Sequence, residues 1–181
     1  WISTFHSACV RILHKEIEAL GYSKDFTIYD DDDQNKLIGE IISDRGLSPK
    51  EFSPKEFRFV ISDAKNKMEG PNKLKELATN HREELFADVY QEYEIRMKKA
   101  NALDFDDLLI KTVVLFHKFP EVLEKYAKRF KYIHVDEYQD TNMVQYRLIK
   151  QLSSLWNNIC VVGDDDQSIY GWRGADIRNI L

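Results

Sequence analysis

The sequence predicts an α/β fold that is mostly helical, with a helical region over the first 130 residues and a small parallel sheet after it. Three features predict it. Apolar residues recur at helical spacing in one segment after another as far as Arg129. At Lys131 the texture changes to a short apolar run, and a second run, NICVVGD, follows one amphipathic helix later. Strand, helix, strand over so short a span is a βαβ unit, whose crossover makes the strands parallel and is expected to bury them on both faces.

Taken in order, WIST (1–4) reads as a short strand, and Phe5, Cys9, Leu13, Ile17 and Leu20 then form one helical stripe that Gly21 closes. YDDDDQNKLIGEIISDRG is a second helix, with an acidic first turn that suits the helix dipole. Its four aspartates, 30–33, read as a solvated helix start rather than a Ca²⁺ loop, which would need a Gly and a distal Glu. A third helix begins after Ser53 with Pro54 at its first position. EGPNKLKELATN, around Gly70 and Pro71, reads as a loop. Leu85, Phe86, Val89, Tyr90, Tyr93 and Met97 mark a long helix ending in the basic RMKKAN. LDFDDLLIKTVVLF starts the next, with Asp104 as cap and Asp107 in the first turn, and a further helix covers 120–129. A strand at 132–135, a helix carrying Val144, Leu148, Leu152 and Leu155, and the strand in NICVVGD complete the chain.

With 181 residues, 43% of them hydrophobic, the chain can hold one good-sized domain or two small ones around a real core. The net charge of −5 argues against a generally basic nucleic-acid binder, so phosphate contacts would come from local patches. The two cysteines, Cys9 and Cys160, lie far apart in apolar surroundings, which points to reduced core thiols and a cytoplasmic location. No signal peptide is evident and no apolar run approaches bilayer length, so a membrane protein is not expected. The chain opens with Trp1 and stops in ADIRNIL, which reads as the start of a helix, so an excised fragment is expected.

The chemistry is concentrated in KYIHVDEYQDTN and GDDDQSIYGWRGAD. Charges are costly inside a buried strand, so Asp136 and Glu137 must sit where the first strand leaves the sheet. The second strand ends in Gly163 and Asp164, with Gln167 shortly after, and parallel strands bring both ends to one edge, where ligands of α/β sheets bind. A strand-terminal Asp followed by Glu suits nucleoside triphosphate hydrolysis: the first carboxylate holds Mg²⁺ through its water shell, and the second activates water. Asp140 and Thr141 read as caps of the next helix. Tyr170, Trp172 and Arg173 alternate with glycines in a loop, where they can stack on single-stranded nucleic acid or anchor the loop. Thr4 and His6, in STFHS, stand where a helix N-terminus could meet a backbone phosphate, although Thr4 or Ser7 as an ordinary cap is, on the stretch alone, the better reading.

ISTFHSACVRIL, ALDFDDLL, VDEYQDTN and VVGDDDQSIYGWRGAD resemble, in order, motifs of the superfamily 1 DNA helicases of the UvrD, PcrA and Rep type. The resemblance implies a piece of the first RecA-like motor domain: residues 1–4 as one of its strands, 5–130 as its helical insertion and 131–181 as its partial parallel sheet. It further implies that Asp136 assists Mg²⁺ binding, Glu137 is the catalytic base, and Gln167 contacts the γ-phosphate of ATP. Tyr170 and Trp172 would contact bases, Thr4 and His6 the strand backbone, and Arg173 would tie the nucleotide and DNA sites together. Single-stranded and duplex DNA are the implied partners, with 3′ to 5′ movement and a role in repair or replication restart.

Two departures qualify the resemblance. No Gly-x-x-x-x-Gly-Lys-[Ser/Thr] occurs in these 181 residues, and the family's arginine fingers belong to a second motor domain, so the chain alone is expected to be inactive and to need the remainder of a helicase. Two competing readings are a non-catalytic single-stranded DNA-binding module, whose reading frame would end near Leu181, and a metal-dependent nuclease built on Asp136, Glu137 and Asp140.

Overall fold

In the computed structural model, residues 1–48, 50–164 and 166 are described. By its contacts the chain divides into two compact units, one made of Tyr22–Leu108 and the other of Trp1–Gly21 with the chain from Leu109 onward. The expected boundaries at residues 4/5 and 130/131 do not coincide with this division, because the first helix and the 120–129 helix group with the C-terminal strands.

The unit Tyr22–Leu108 contains β1 (Thr27–Tyr29), α2 (Asp31–Asp44), α3 (Pro54–Asn66), α4 (Pro71–Leu77), α5 (His81–Lys99) and β2 (Ala102–Asp104), and α6 (Phe105–Lys118) starts within it; α1 belongs to the other unit. Asp30 caps α2: its side chain accepts the N–H groups of Asp32 and Asp33, and Asp33 accepts that of Asp30 in return. Helix capping therefore accounts for the aspartate run. Ile38, Ile41, Ile42, Phe57, Ile61, Val89 and Tyr93 form the core of this unit. Each such side chain, fully buried, contributes about 1.5–3 kcal/mol.

Three elements differ from expectation. EGPNKLKELATN contains α4, of which no residue is buried and only Leu74 packs on the core, so it leaves no periodic stripe to read. The strands β1 and β2 pair in parallel, with Thr27 opposite Ala102 and Tyr29 opposite Asp104. Three residues each are too few to show a period.

A buried charge cluster joins α3, α5, β2 and α6. Lys65, 2% exposed, places its Nζ 2.6 Å from Asp104 Oδ2, 3.0 Å from Asp107 Oδ1 and 3.0 Å from Glu94 Oε1. Tyr93 donates its hydroxyl to Asp104 Oδ2 at 2.9 Å. Asp104 and Asp107 also accept each other's backbone N–H, which is the cap expected at the start of α6. Burial alone would lower the Lys65 pKa, but the surrounding carboxylates outweigh it and hold the ammonium well above its ordinary value. Burial and the neighbouring Asp107 push Asp104 up to about 6, against the pull of Lys65.

The other unit holds α1 (Phe5–Glu16), the rest of α6, α7 (Pro120–Arg129), β3 (Ile133–Val135), α8 (Met143–Leu152) and β4 (Ile159–Val161). The α1 stripe continues through a 3₁₀ turn, Ile17–Leu20, to Gly21, whose φ of 72° is the left-handed conformation that glycine adopts without a Cβ clash. Tyr126 of α7 donates to Glu16 at the end of α1, and Gln151 of α8 donates to the Val113 carbonyl of α6. Trp1 to Thr4 pair with no strand among the described residues, contrary to expectation; they lead directly into α1, and Ile2 is fully exposed.

Strands β3 and β4 pair in parallel, with Ile133 opposite Ile159 and Val135 opposite Val161, so the βαβ unit forms as expected. They are not buried on both faces. Every residue of β4 is exposed, Ile159 to 43% and Val161 to 40%, because the sheet has only two strands among the described residues. Cys160 is accordingly exposed, whereas Cys9 is buried and its thiol is pushed up to about 12 by that burial. Among the described residues no helix is long and apolar enough to cross a membrane.

Candidate active site

The β3–β4 ladder decides where the acids go. Val162 donates its N–H to the Val135 carbonyl at 2.8 Å, and Tyr138 donates to the Val162 carbonyl at 2.9 Å, so the chain turns away from the sheet between these two bonds. Asp136 and Glu137 occupy that turn and are both exposed. The charges thus leave the sheet at its carboxyl edge, the same edge at which β4 runs on into Gly163 and Asp164.

Glu137 has φ 50° and ψ 43°, a left-handed conformation uncommon for a residue with a side chain. Its N–H donates to Asp136 Oδ1 at 2.9 Å, and its Oε2 accepts the side-chain N–H of Gln139 at 2.7 Å. A 3₁₀ turn, Tyr138–Asp140, then leads to α8. Asn142, not Asp140 or Thr141, caps that helix: its side chain accepts the N–H of Gln145, and Gln145 accepts that of Asn142. The 3₁₀ turn delays the helix by one residue beyond the expected cap. Thr141 instead donates its hydroxyl to the Tyr138 carbonyl.

A cavity of about 690 Å³ opens beside the turn, and Asp136, Glu137, Asp140, Thr4 and His6 all line it. Thr4 caps α1 by accepting the Ser7 N–H at 3.2 Å, so the ordinary-cap reading of that residue holds. His6 lies in the first turn of α1 and is half-buried. The structure therefore brings Thr4, His6, Asp136 and Glu137 around one space, although they lie more than a hundred residues apart in sequence. Gln167, Tyr170, Trp172 and Arg173 lie outside the described residues.

The donor set suits Mg²⁺, a hard cation that keeps several waters and takes one or two carboxylates along with substrate phosphates. Asp136 is exposed, and the buried Asp140 Oδ1 has no hydrogen-bond partner among the described residues. No group of three or more His, Cys, Asp or Glu side chains able to cage a metal occurs among the described residues, so Asp136, Glu137 and Asp140 do not form one. The sequence reading did not single out Gln139, which holds Glu137. Its signal was weak, a glutamine two residues beyond the acids, and only its burial to 1% exposure distinguishes it.

Comparison with known proteins gives a consistent answer. The ATP-dependent DNA helicase PcrA of Bacillus subtilis (strain 168) is 51% identical over all 181 residues, which cover 24% of that protein. PcrA of Staphylococcus aureus (strain Mu50) is 49% identical, with 25% of its length covered, and PcrA of Staphylococcus epidermidis is 48% identical over the same share. The chain thus spans about a quarter of the length of the curated relatives it matches. The sequence pattern of the UvrD/REP helicase N-terminal domain matches residues 1–181, and the chain belongs to that family.

Proposed function

We propose that this chain is part of the first motor domain of an ATP-driven DNA helicase that moves on single-stranded DNA and unwinds duplex. One observation carries the reading: an exposed Asp–Glu pair leaves a parallel strand at the carboxyl edge of the sheet, beside a cavity that Thr4 and His6 also line. The names of the relatives support it. In this reading the unit Tyr22–Leu108 corresponds to the helical insertion, and Trp1–Gly21 with the chain from Leu109 onward to the motor domain.

In this mechanism Glu137 accepts a proton from the attacking water through its carboxylate. Asp136 would hold Mg²⁺, which when bound neutralises charge on the phosphates. Gln167 senses the γ-phosphate and Arg173 links the nucleotide and DNA sites. Thr4 and His6 meet the DNA backbone, and Tyr170 and Trp172 stack on bases. The phosphate loop and arginine fingers come from the remainder of the polypeptide, which works in the cytoplasm. The nuclease reading is disfavoured because its three carboxylates are not gathered into a metal cage.

The test uses a polypeptide of the relatives' full length that contains this chain. Phosphate release from ATP should require single-stranded DNA and Mg²⁺. DNA binding without any ATP turnover would favour the binding module instead, and DNA cleavage without nucleotide would favour the nuclease.

A further inference from the structure

Among the buried polar side chains of the described residues, Gln139 is the one with a hydrogen bond to an exposed acid of the site. It is 1% exposed, and burying a carboxamide is costly unless its bonds are made. Its Nε2 donates to Glu137 Oε2 at 2.7 Å, and its Oε1 accepts the backbone N–H of Asp164 at 3.0 Å. The amide orientation is dictated twice. A backbone N–H can only donate, so the oxygen must face Asp164; an ionised carboxylate can only accept, so the nitrogen must face Glu137.

The backbone explains how the side chain reaches both. Glu137 in its left-handed conformation and the 3₁₀ turn after it fold the chain back toward the sheet, and the Tyr138 N–H is tied to Val162. Gln139 then adds a side-chain rung beyond the last backbone bond between the β3 and β4 ends. This donor fixes one carboxylate oxygen of Glu137, Oε2.

We infer that Gln139 is the positioning residue for Glu137: it holds the carboxylate in one orientation and ties it to the Asp164 end of β4. The inference rests on Glu137 being the base, and it goes further by naming what aims that base and by joining the base to the segment that opens with Asp164.

The experiment uses the full-length polypeptide at saturating single-stranded DNA and compares Gln139→Glu, Gln139→Met and Glu137→Gln with wild type. Gln139→Glu keeps the side-chain volume and an acceptor for Asp164, but it buries a carboxylate against Glu137 and so melts earlier than wild type, and kcat is therefore taken per folded molecule. It sets an anion against Glu137 in place of a donor, so kcat falls by about ten- to a hundredfold while KM for ATP stays within about threefold. Gln139→Met, which loses both bonds, also loses kcat. A folded Gln139→Glu with wild-type kcat overturns the inference, as does a kcat that falls only in step with the folded fraction, which is the signature of a structural brace.

Glu137→Gln separates the two levels of argument. If it abolishes turnover while Gln139→Glu does not, only the positioning role is lost; if it retains turnover, the assignment of the base falls and the positioning role falls with it. A measurement without activity covers the case of unfolded variants. In the full-length polypeptide, the side-chain amide resonances of Gln139 should move on Glu137→Ala, and unmoved resonances overturn the contact.

Discussion

Two strands of this chain end in carboxylates, and their surroundings make the two ends opposites. At the end of β2, Asp104 and Asp107 are sealed inside the unit Tyr22–Leu108, each within 3.0 Å of the Lys65 ammonium. At the end of β3, Asp136 and Glu137 are exposed and no lysine or arginine pairs with them among the described residues; their recorded partners are a backbone N–H and the carboxamide of Gln139. The same residue type after the same kind of strand thus serves two purposes. A carboxylate whose charge is already neutralised by a buried cation holds structure together. One that leaves the sheet facing a cavity keeps its charge available for a ligand.

The sharpest way to break the comparison is at the open end. Glu137→Gln in the full-length polypeptide keeps the shape and removes the base, so ATP turnover should fall by about 10²–10⁴ while ATP and Mg²⁺ still bind. Single-turnover hydrolysis alongside equilibrium nucleotide binding checks this. Collapse of ATP affinity with an unchanged rate per bound nucleotide would make Glu137 a binding residue and erase the distinction between the two ends.

The closed end should respond through stability instead. Lys65→Met leaves Asp104 and Asp107 buried without a cation, which should cost about 3–5 kcal/mol in urea denaturation. The loss should depend on pH with a definite sign. Asp104 already lies at about 6, above its unfolded value, because burial disfavours its charge. Without Lys65 the folded state prefers the neutral carboxyl more strongly still, so the variant is most stable below the ordinary carboxylate range and loses stability as pH rises through the folded pKa. It should therefore be more stable at acidic than at mildly alkaline pH. A loss that is small and flat with pH would mean that Lys65 is not the counter-charge of this cluster.

Trp172 extends the contrast to the segment beyond β4. Trp172→Ala in the full-length polypeptide should weaken single-stranded DNA binding by ~1–3 kcal/mol, roughly ten- to a hundredfold. Because no phosphate contact is lost, the slope of affinity against salt should not change, and a salt titration of oligonucleotide binding reads both quantities. Early melting with normal binding per folded molecule would make Trp172 an anchor rather than a stacking platform.

The smallest effect concerns the helix that follows the open end. Asn142→Ala removes the cap of α8 and should cost about 1 kcal/mol, with DNA-stimulated turnover intact. A turnover loss on the scale of Glu137→Gln would show that the cap belongs to the site.

Long periodic segments were legible and short ones were not. The stripes of α1, α5 and α8 were read from spacing, since each buries several residues on one face, whereas α2, α3 and α6 were marked by an acidic first turn, a proline or a capping aspartate. Pro54 and Pro120 marked helix starts for the reason that proline loses nothing at a first helical position. The strands β1 and β2 and the helix α4 escaped because three to seven residues with little burial give no period. The Asp–Glu pair was legible because charge at the end of an apolar run has few explanations, but Gln139 was not, since a polar residue in a turn ordinarily faces water.

What the sequence determined by itself was therefore local: which segments coil, where they start and stop, and that carboxylates leave a strand at the one edge where a ligand can meet them. Whether a given carboxylate is structural or chemical was decided only in three dimensions. Lys65 stands 39 residues before Asp104, and Gln139 meets Asp164 across 25 residues, so neither partnership has a local pattern. The physical reason is that the free energy of a charge is set by what surrounds it, by burial and by the nearest counter-charge or donor, and those neighbours are chosen by packing rather than by spacing along the chain.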